Sequence, residues 1–113
     1  MILHQDLDAL FNPKSVAVVG ASASPGKIGN IILANLVEAG YKGKLFPVNP
    51  KPGEILGLPV VTHIPDLPGP LDLAVISVPP AHVLAAITEL AQVPTRALTI
   101  ITAGFKEVGK EGY

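Results

Sequence analysis

Apolar positions in this chain follow two rhythms that take turns along its length. Four short runs read as strands: Ser15–Gly20 (Ser-Val-Ala-Val-Val-Gly), β-branched and small apolar without in-out alternation, then Lys44–Asn49, Asp72–Val78 and Ala97–Thr102. Unbroken apolar runs of this length suit strands buried on both faces, as in a parallel sheet. Between them the spacing becomes helical, first at Ile28, Ile32, Leu36 with Leu33 and Val37, then at Val83, Leu84, Ile87, Leu90 and Ala91. Breakers stand at the joints. Asn12-Pro13 stops a short helical turn over Asp6–Phe11, and Pro50 ends the second strand. Gly40 sits where a C-terminal cap belongs, with Tyr41 placed to fold back on Leu36. Pro79-Pro80 suits the first turn of a helix, where a missing N–H costs little, and Pro94 closes that helix. The prolines of Lys51–Pro70 exclude a long helix there and leave a short strand over Leu58–Val61. The tail Phe105–Tyr113, with Gly109 and Gly112, predicts nothing regular.

Strands alternating with amphipathic helices predict a single α/β domain over residues 1–113, a doubly wound parallel sheet with Ser15–Asn49 as a right-handed βαβ unit. The chain stops soon after its fourth strand, where another helix is expected. The expectation is therefore a fragment of a longer multidomain chain, its last strand partly uncovered.

Composition adds mostly exclusions. A hydrophobic fraction of 49% against 15% charged residues argues against disorder. Runs such as Leu73–Val78 are too short to cross a bilayer, and Met1–Phe11 lacks the basic start of a secretory signal. With no cysteine there is no disulfide framework and no thiol chemistry, which fits a cytoplasmic protein. A net charge of −1 and 4% aromatics give neither a field nor a stacking platform for nucleic acid. Any anion site must be local.

In an open parallel sheet, ligands bind beyond the carboxyl ends of the strands. Gly20–Gly29, Asn49–Lys51, Val78–Pro80 and Thr102–Gly104 should converge there. The helix that starts near Ile28 aims its N–H groups and its dipole at the first loop, where Ser22, Ser24 and Lys27 add donors and charge. Phosphate is the natural guest; the alternative is a glycine turn that only reverses the chain. Gly20, Gly26 and Gly29 do not space as G-x-G-x-x-G, and Lys27-Ile28 is not a Walker lysine. At the end of the second strand, a dinucleotide site wants a carboxylate for the ribose hydroxyls. Asn49-Pro50-Lys51 stands there instead. A lysine suits a phosphorylated ribose, so coenzyme A and NADP remain and NAD is disfavoured; the other reading of Lys51 is a solvated loop charge. His4, His63 and His82 match no metal spacing, Asp66 and Asp72 read as turn residues, and no serine has a nucleophile context. No catalytic constellation is present.

Taken in order, these segments resemble the CoA-binding domain of NDP-forming acyl-CoA synthetases, a family including ADP-forming acetyl-CoA synthetase and, more distantly, the succinyl-CoA synthetase α subunit. The resemblance rests on Ser15–Ser22, Pro25–Gly29, Gly40–Lys51, Glu54–Val60, Asp72–Pro80 and Thr102–Gly109. It implies a Rossmann-like domain that binds coenzyme A. It also implies roles: Gly20, Ala21, Ser22, Lys27 and Ile28 around the adenosine and phosphate portion, and Asn49, Pro50 and Lys51 at the nucleotide end. Val78, Pro79 and Pro80 would lie against the adenine or the pantetheine arm, with Thr102, Ala103 and Gly104 toward the thiol. Ala103 stands where succinyl-CoA synthetases carry a glutamate, so no charged role transfers there. The parent implied is an acid–thiol ligase (acetate–CoA ligase, ADP-forming). Its phosphohistidine, and the ATP-grasp domain that takes ATP/ADP and Mg, lie outside these residues, so the chain alone would catalyse nothing. Implied partners are coenzyme A and the remaining synthetase domains or subunits, with a homo-oligomer allowed and neither nucleic acid nor membrane. Other parents are a protein lysine acetyltransferase, a stand-alone CoA-binding or regulatory Rossmann protein, and, least supported, an NADP-linked oxidoreductase.

Overall fold

The computed structural model describes residues 13–101. The turn expected at Asp6–Phe11, the tail Phe105–Tyr113 and the segment Thr102–Gly104 lie outside the described residues. The elements run β1 (Ser15–Val19), α1 (Ile28–Glu38), β2 (Lys44–Val48), β3 (Glu54–Ile55), β4 (Leu58–Pro59), a 3-10 turn at Ile64–Asp66, β5 (Leu71–Ile76), α2 (Pro80–Leu90) and β6 (Thr95–Ile100). Strands β2, β1, β5 and β6 form one sheet in that order, and every pairing is parallel. The chain steps from β1 to β2 on one side, then returns across β1 to β5 on the other. The direction of winding therefore reverses between β1 and β5, the switch point where such sheets open a crevice.

Both faces of the sheet are covered, which is why the strands are apolar throughout. Val16 and Val18 of β1 face α1, packing with Leu33 and with Ile55 of β3. Ala17 and Val19 face the opposite way, against Ala86 and Leu90 of α2 and Ile64 and Leu67 around the 3-10 turn. The helical face expected on α2 is rotated. Leu84 is 74% exposed and Ala91 is exposed, while Ala86 is buried and Val83 and Ile87 pack on the core. Residues 83, 86, 87 and 90 make a tighter i, i+3, i+4, i+7 stripe than one through Leu84. Strand β6 is one edge of the sheet among the described residues, β2 being the other; Leu98 and Ile100 pack on the α2 side.

Helix α1 ends as its glycine foretold. Gly40 takes φ +78°, its N–H bonds the Val37 carbonyl at 3.1 Å, and Tyr41 N–H bonds the Leu36 carbonyl at 3.1 Å. These are the paired bonds of a Schellman cap. The Tyr41 hydroxyl then donates to the Pro13 carbonyl at 2.9 Å. Burial, and secondarily the Asp72 carboxylate, raise its phenol pKa above the ordinary 10.0. Asp72 also accepts from Lys14 N–H at 2.7 Å and from Arg96 at 3.4 Å, while its own N–H bonds Ser15 Oγ at 2.9 Å. It staples the amino ends of β1, β5 and β6, far along the strands from any crevice.

The region after β2 is more ordered than its prolines suggest. Ile55 and Leu58 pair across a two-residue turn in which Leu56 (φ 53°) and Gly57 (φ 80°) are both left-handed, the type I′ signature. The chain then returns to β2 through a parallel bridge of Val61 with Val48.

Candidate functional site

Strand register brings together three of the four expected segments, the fourth, Thr102–Gly104, lying outside the described residues. Val19 pairs with Val48 on one side and Ile76 on the other, and Ile76 pairs with Ile100. The next residue of each strand, Gly20, Asn49, Ser77 and Ile101, therefore sits at one carboxyl edge. Backbone bonds from Gly20 to Val48 (3.1 Å), Ser77 to Val19 (2.7 Å) and Ile101 to Ile76 (2.8 Å) carry the ladder to that edge.

A cleft of about 650 Å³ opens there, lined by Gly20, Ala21, Ser22, Gly26, Lys27, Ile28, Gly29, Asn49, Ser77, Val78, Pro79, Pro80 and Ile101. Nine expected site residues meet in it: Gly20, Ala21, Ser22, Lys27, Ile28, Asn49, Val78, Pro79 and Pro80. Lys51 lines a polar cavity of about 350 Å³ that shares Ser22 and Asn49 with the cleft. Pro50 lines a third, of about 470 Å³, sharing Gly20 and Val78 with it.

Two glycines set the loop. Gly20 has φ +95°, and a Cβ there would strike the Ser77 carbonyl. A Cβ at Gly29 would strike the Gly20 carbonyl, so α1 begins in direct backbone contact with the end of β1. Gly26 differs: a Cβ there meets no atom within 4 Å. No side chain caps α1, whose first residues Ile28 and Gly29 face the cleft. Uncapped N–H groups, the positive end of a helix dipole and the Lys27 ammonium together favour an anion.

The loop is held by side chains from outside it. Asn30, only 8% exposed, donates through Nδ2 to the Ser22 carbonyl at 2.8 Å. Asn49 donates through Nδ2 to the Ala21 carbonyl at 2.7 Å, and its Oδ1 accepts from Lys51 N–H at 2.8 Å. Both ends of the Asn49 amide are thus committed, so it positions the loop and starts the turn that carries Lys51. Ser22 Oγ accepts from Ser24 N–H at 3.0 Å. Asn30 escaped sequence reasoning, although a polar residue within the apolar sequence Ile28–Leu33 was a usable signal. His63 and His82 are exposed, as is Asp66, which lies 3.7 Å from His63. Among the described residues no cluster of three His, Cys, Asp or Glu is placed to hold a metal ion, and no helix is long and apolar enough to cross a membrane.

A four-stranded doubly wound sheet with a glycine loop and an uncapped helix at its switch point defines a Rossmann-like domain. The comparisons narrow that class. This chain belongs to the CoA binding domain family, which matches residues 14–108. Subunit alpha of acetate–CoA ligase (ADP-forming) I from Pyrococcus furiosus is 49% identical over 110 residues, covering 94% of this chain and 24% of that protein. Acetate–CoA ligase (ADP-forming) II from Archaeoglobus fulgidus is 44% identical, over 95% of this chain and 16% of its own length. The dinucleotide-forming acetyl-coenzyme A synthetase 1 of Ca. Korarchaeum cryptofilum, solved with phosphate and ADP, superposes with a TM-score of 0.83 at 48% identity. That match covers 95% of this chain and 23% of the solved one. The chain therefore spans a quarter or less of the length of these relatives.

Proposed function

We propose that this chain binds coenzyme A at the carboxyl edge of its sheet, as the CoA-binding portion of a longer ADP-forming acyl-CoA synthetase. The family match over residues 14–108 carries the reading. The cleft chemistry agrees with it. The pyrophosphate would lie on the uncapped start of α1, against Gly20, Ala21, Ser22 and Ile28, with the Lys27 ammonium alongside. Gly26 would serve this by keeping a side chain out of the cleft, while Gly20 and Gly29 let the backbone around it pack closely. Asn49 would hold the loop, and Lys51 would meet the 3′-phosphate of the ribose from its polar cavity. Val78, Pro79 and Pro80 would form an apolar wall, with Thr102, Ala103 and Gly104 leading the pantetheine arm toward the thiol.

On this reading the chain binds and orients coenzyme A, and the chemical steps belong to other portions of the synthetase. Those portions would carry the ATP-grasp site for ATP/ADP and Mg, whose contribution is phosphoryl transfer. The cysteine-free sequence suits a cytoplasmic enzyme.

The test is a comparison of ligands. Lys51→Ala should weaken coenzyme A about tenfold, or about 1.4 kcal/mol, and leave dephospho-CoA nearly unchanged in calorimetric titration. Equal losses for both ligands would show that Lys51 does not touch the 3′-phosphate.

A further inference from the structure

Among the described residues, Asn30 is the only polar side chain that is buried. It stands third in α1, one turn before the buried Leu33, inside a stretch that is otherwise glycine and aliphatic. A buried amide costs free energy unless it is hydrogen-bonded. The bond that Asn30 makes leaves the helix: Nδ2 donates to the Ser22 carbonyl at 2.8 Å. The core gains nothing from an amide here that a leucine would not supply. What the amide adds is a hold on the loop.

That hold fixes a peptide plane. In a trans peptide the C=O and the next N–H point in opposite directions. A Ser22 carbonyl held toward α1 therefore turns the Ala23 N–H away from α1. Ala23 lines the polar cavity together with Ser22, Asn49 and Lys51. No acceptor for its N–H stands among the described residues. Ser22 Oγ accepts from Ser24 N–H at 3.0 Å, which leaves its own proton to donate. One residue earlier the device repeats, with Asn49 holding the Ala21 carbonyl and so setting the direction of the Ser22 N–H. Turning the Ser22–Ala23 peptide over would put a carbonyl oxygen where the N–H stands. An oxygen there repels a phosphate, whereas an N–H beside a lysine attracts one.

We infer that Asn30 is a positioning residue: by pinning the Ser22 carbonyl it holds the Ala23 N–H toward the phosphate that Lys51 meets. The inference rests on the reading of the polar cavity given above. It adds a residue that touches no ligand and acts only through the peptide it orients.

Asn30→Leu removes the donor, keeps a side chain of similar size and places a stronger helix former in α1. Coenzyme A and dephospho-CoA are titrated calorimetrically into the unmodified chain, Asn30→Leu and Lys51→Ala, and the Ala23 amide proton is followed by NMR. Asn30→Leu should weaken coenzyme A about tenfold and dephospho-CoA less than about threefold. In the unmodified chain the Ala23 amide proton should move downfield with coenzyme A and not with dephospho-CoA, and in Asn30→Leu it should move with neither. A merely structural Asn30 would weaken both ligands together and leave the Ala23 response intact. Equal losses for the two ligands or an unchanged affinity for coenzyme A overturns the inference. So does an Ala23 amide of the unmodified chain that responds alike to both ligands, a result that needs no variant to fold. An unmodified chain that does not bind coenzyme A, or a Lys51→Ala variant that loses both ligands equally, removes the reading of the cavity itself, and the inference with it.

Discussion

Gly20 and Gly29 act through the atoms they lack. Each brings backbone against backbone, Gly20 onto the Ser77 carbonyl and Gly29 onto the Gly20 carbonyl, and Gly20 adds a φ of +95° that other residues reach only with strain. Gly29→Ala should therefore destabilise the chain by about 1–3 kcal/mol in urea unfolding. Gly26→Ala meets nothing, so its stability should stay within about 0.5 kcal/mol of the parent. Because Gly26 lines the cleft, the same variant should lose affinity for coenzyme A, which separates the two kinds of glycine in one experiment. Gly20, Lys27 and Lys51 stood out as candidates because their chemistry is local, a glycine after a strand and cations where an anion could sit, and all three line cavities at the carboxyl edge. The Asn49 role was not legible, since its partner Ala21 lies 28 residues away in sequence and only the register of β1 with β2 brings them together.

At the level of elements, periodicity worked where one face dominates and failed where two compete. Helix α1 starts at Ile28 as its spacing predicts, and its Schellman cap follows from Gly40-Tyr41. On α2 the apolar residues outnumber the buried positions, so Leu84 looked like core and is solvent-facing. The β3–β4 hairpin was half seen: Leu58–Val61 marked one strand, but its partner Glu54–Ile55 is too short to show a period. The Tyr41 anchor gives a pH signature. Its folded-state pKa is raised, so the neutral phenol is favoured in the native chain. That stability is fully present below the unfolded value of about 10 and is lost as pH rises through the folded value. Tyr41→Phe removes the bond to the Pro13 carbonyl and should cost about 1 kcal/mol at neutral pH, and the variant should lose the tyrosine contribution to the decline above pH 10. An alkaline decline identical in parent and variant would contradict that assignment.

At the scale of the whole molecule, four buried strands and two helices specify a doubly wound sheet, and the order β2-β1-β5-β6 puts its switch point at Gly20 and Ser77. Three cavities meet along that edge: a cleft over a helix start, a polar cavity with Lys51 and a third cavity beneath α2. The sequence pointed to the edge and to the phosphate. The cavity beneath α2 was not legible, because Ala85 and Ala86, which line it with Val78 and Ile64, carry no chemical signal in the sequence. The central claim, that this edge is built for coenzyme A, is tested most directly by thermal unfolding of the chain with coenzyme A and with NADP. Coenzyme A at about 100 times its dissociation constant should add about 2.7 kcal/mol of stability and raise the midpoint, with NADP without effect. A midpoint raised by NADP and not by coenzyme A would contradict the account.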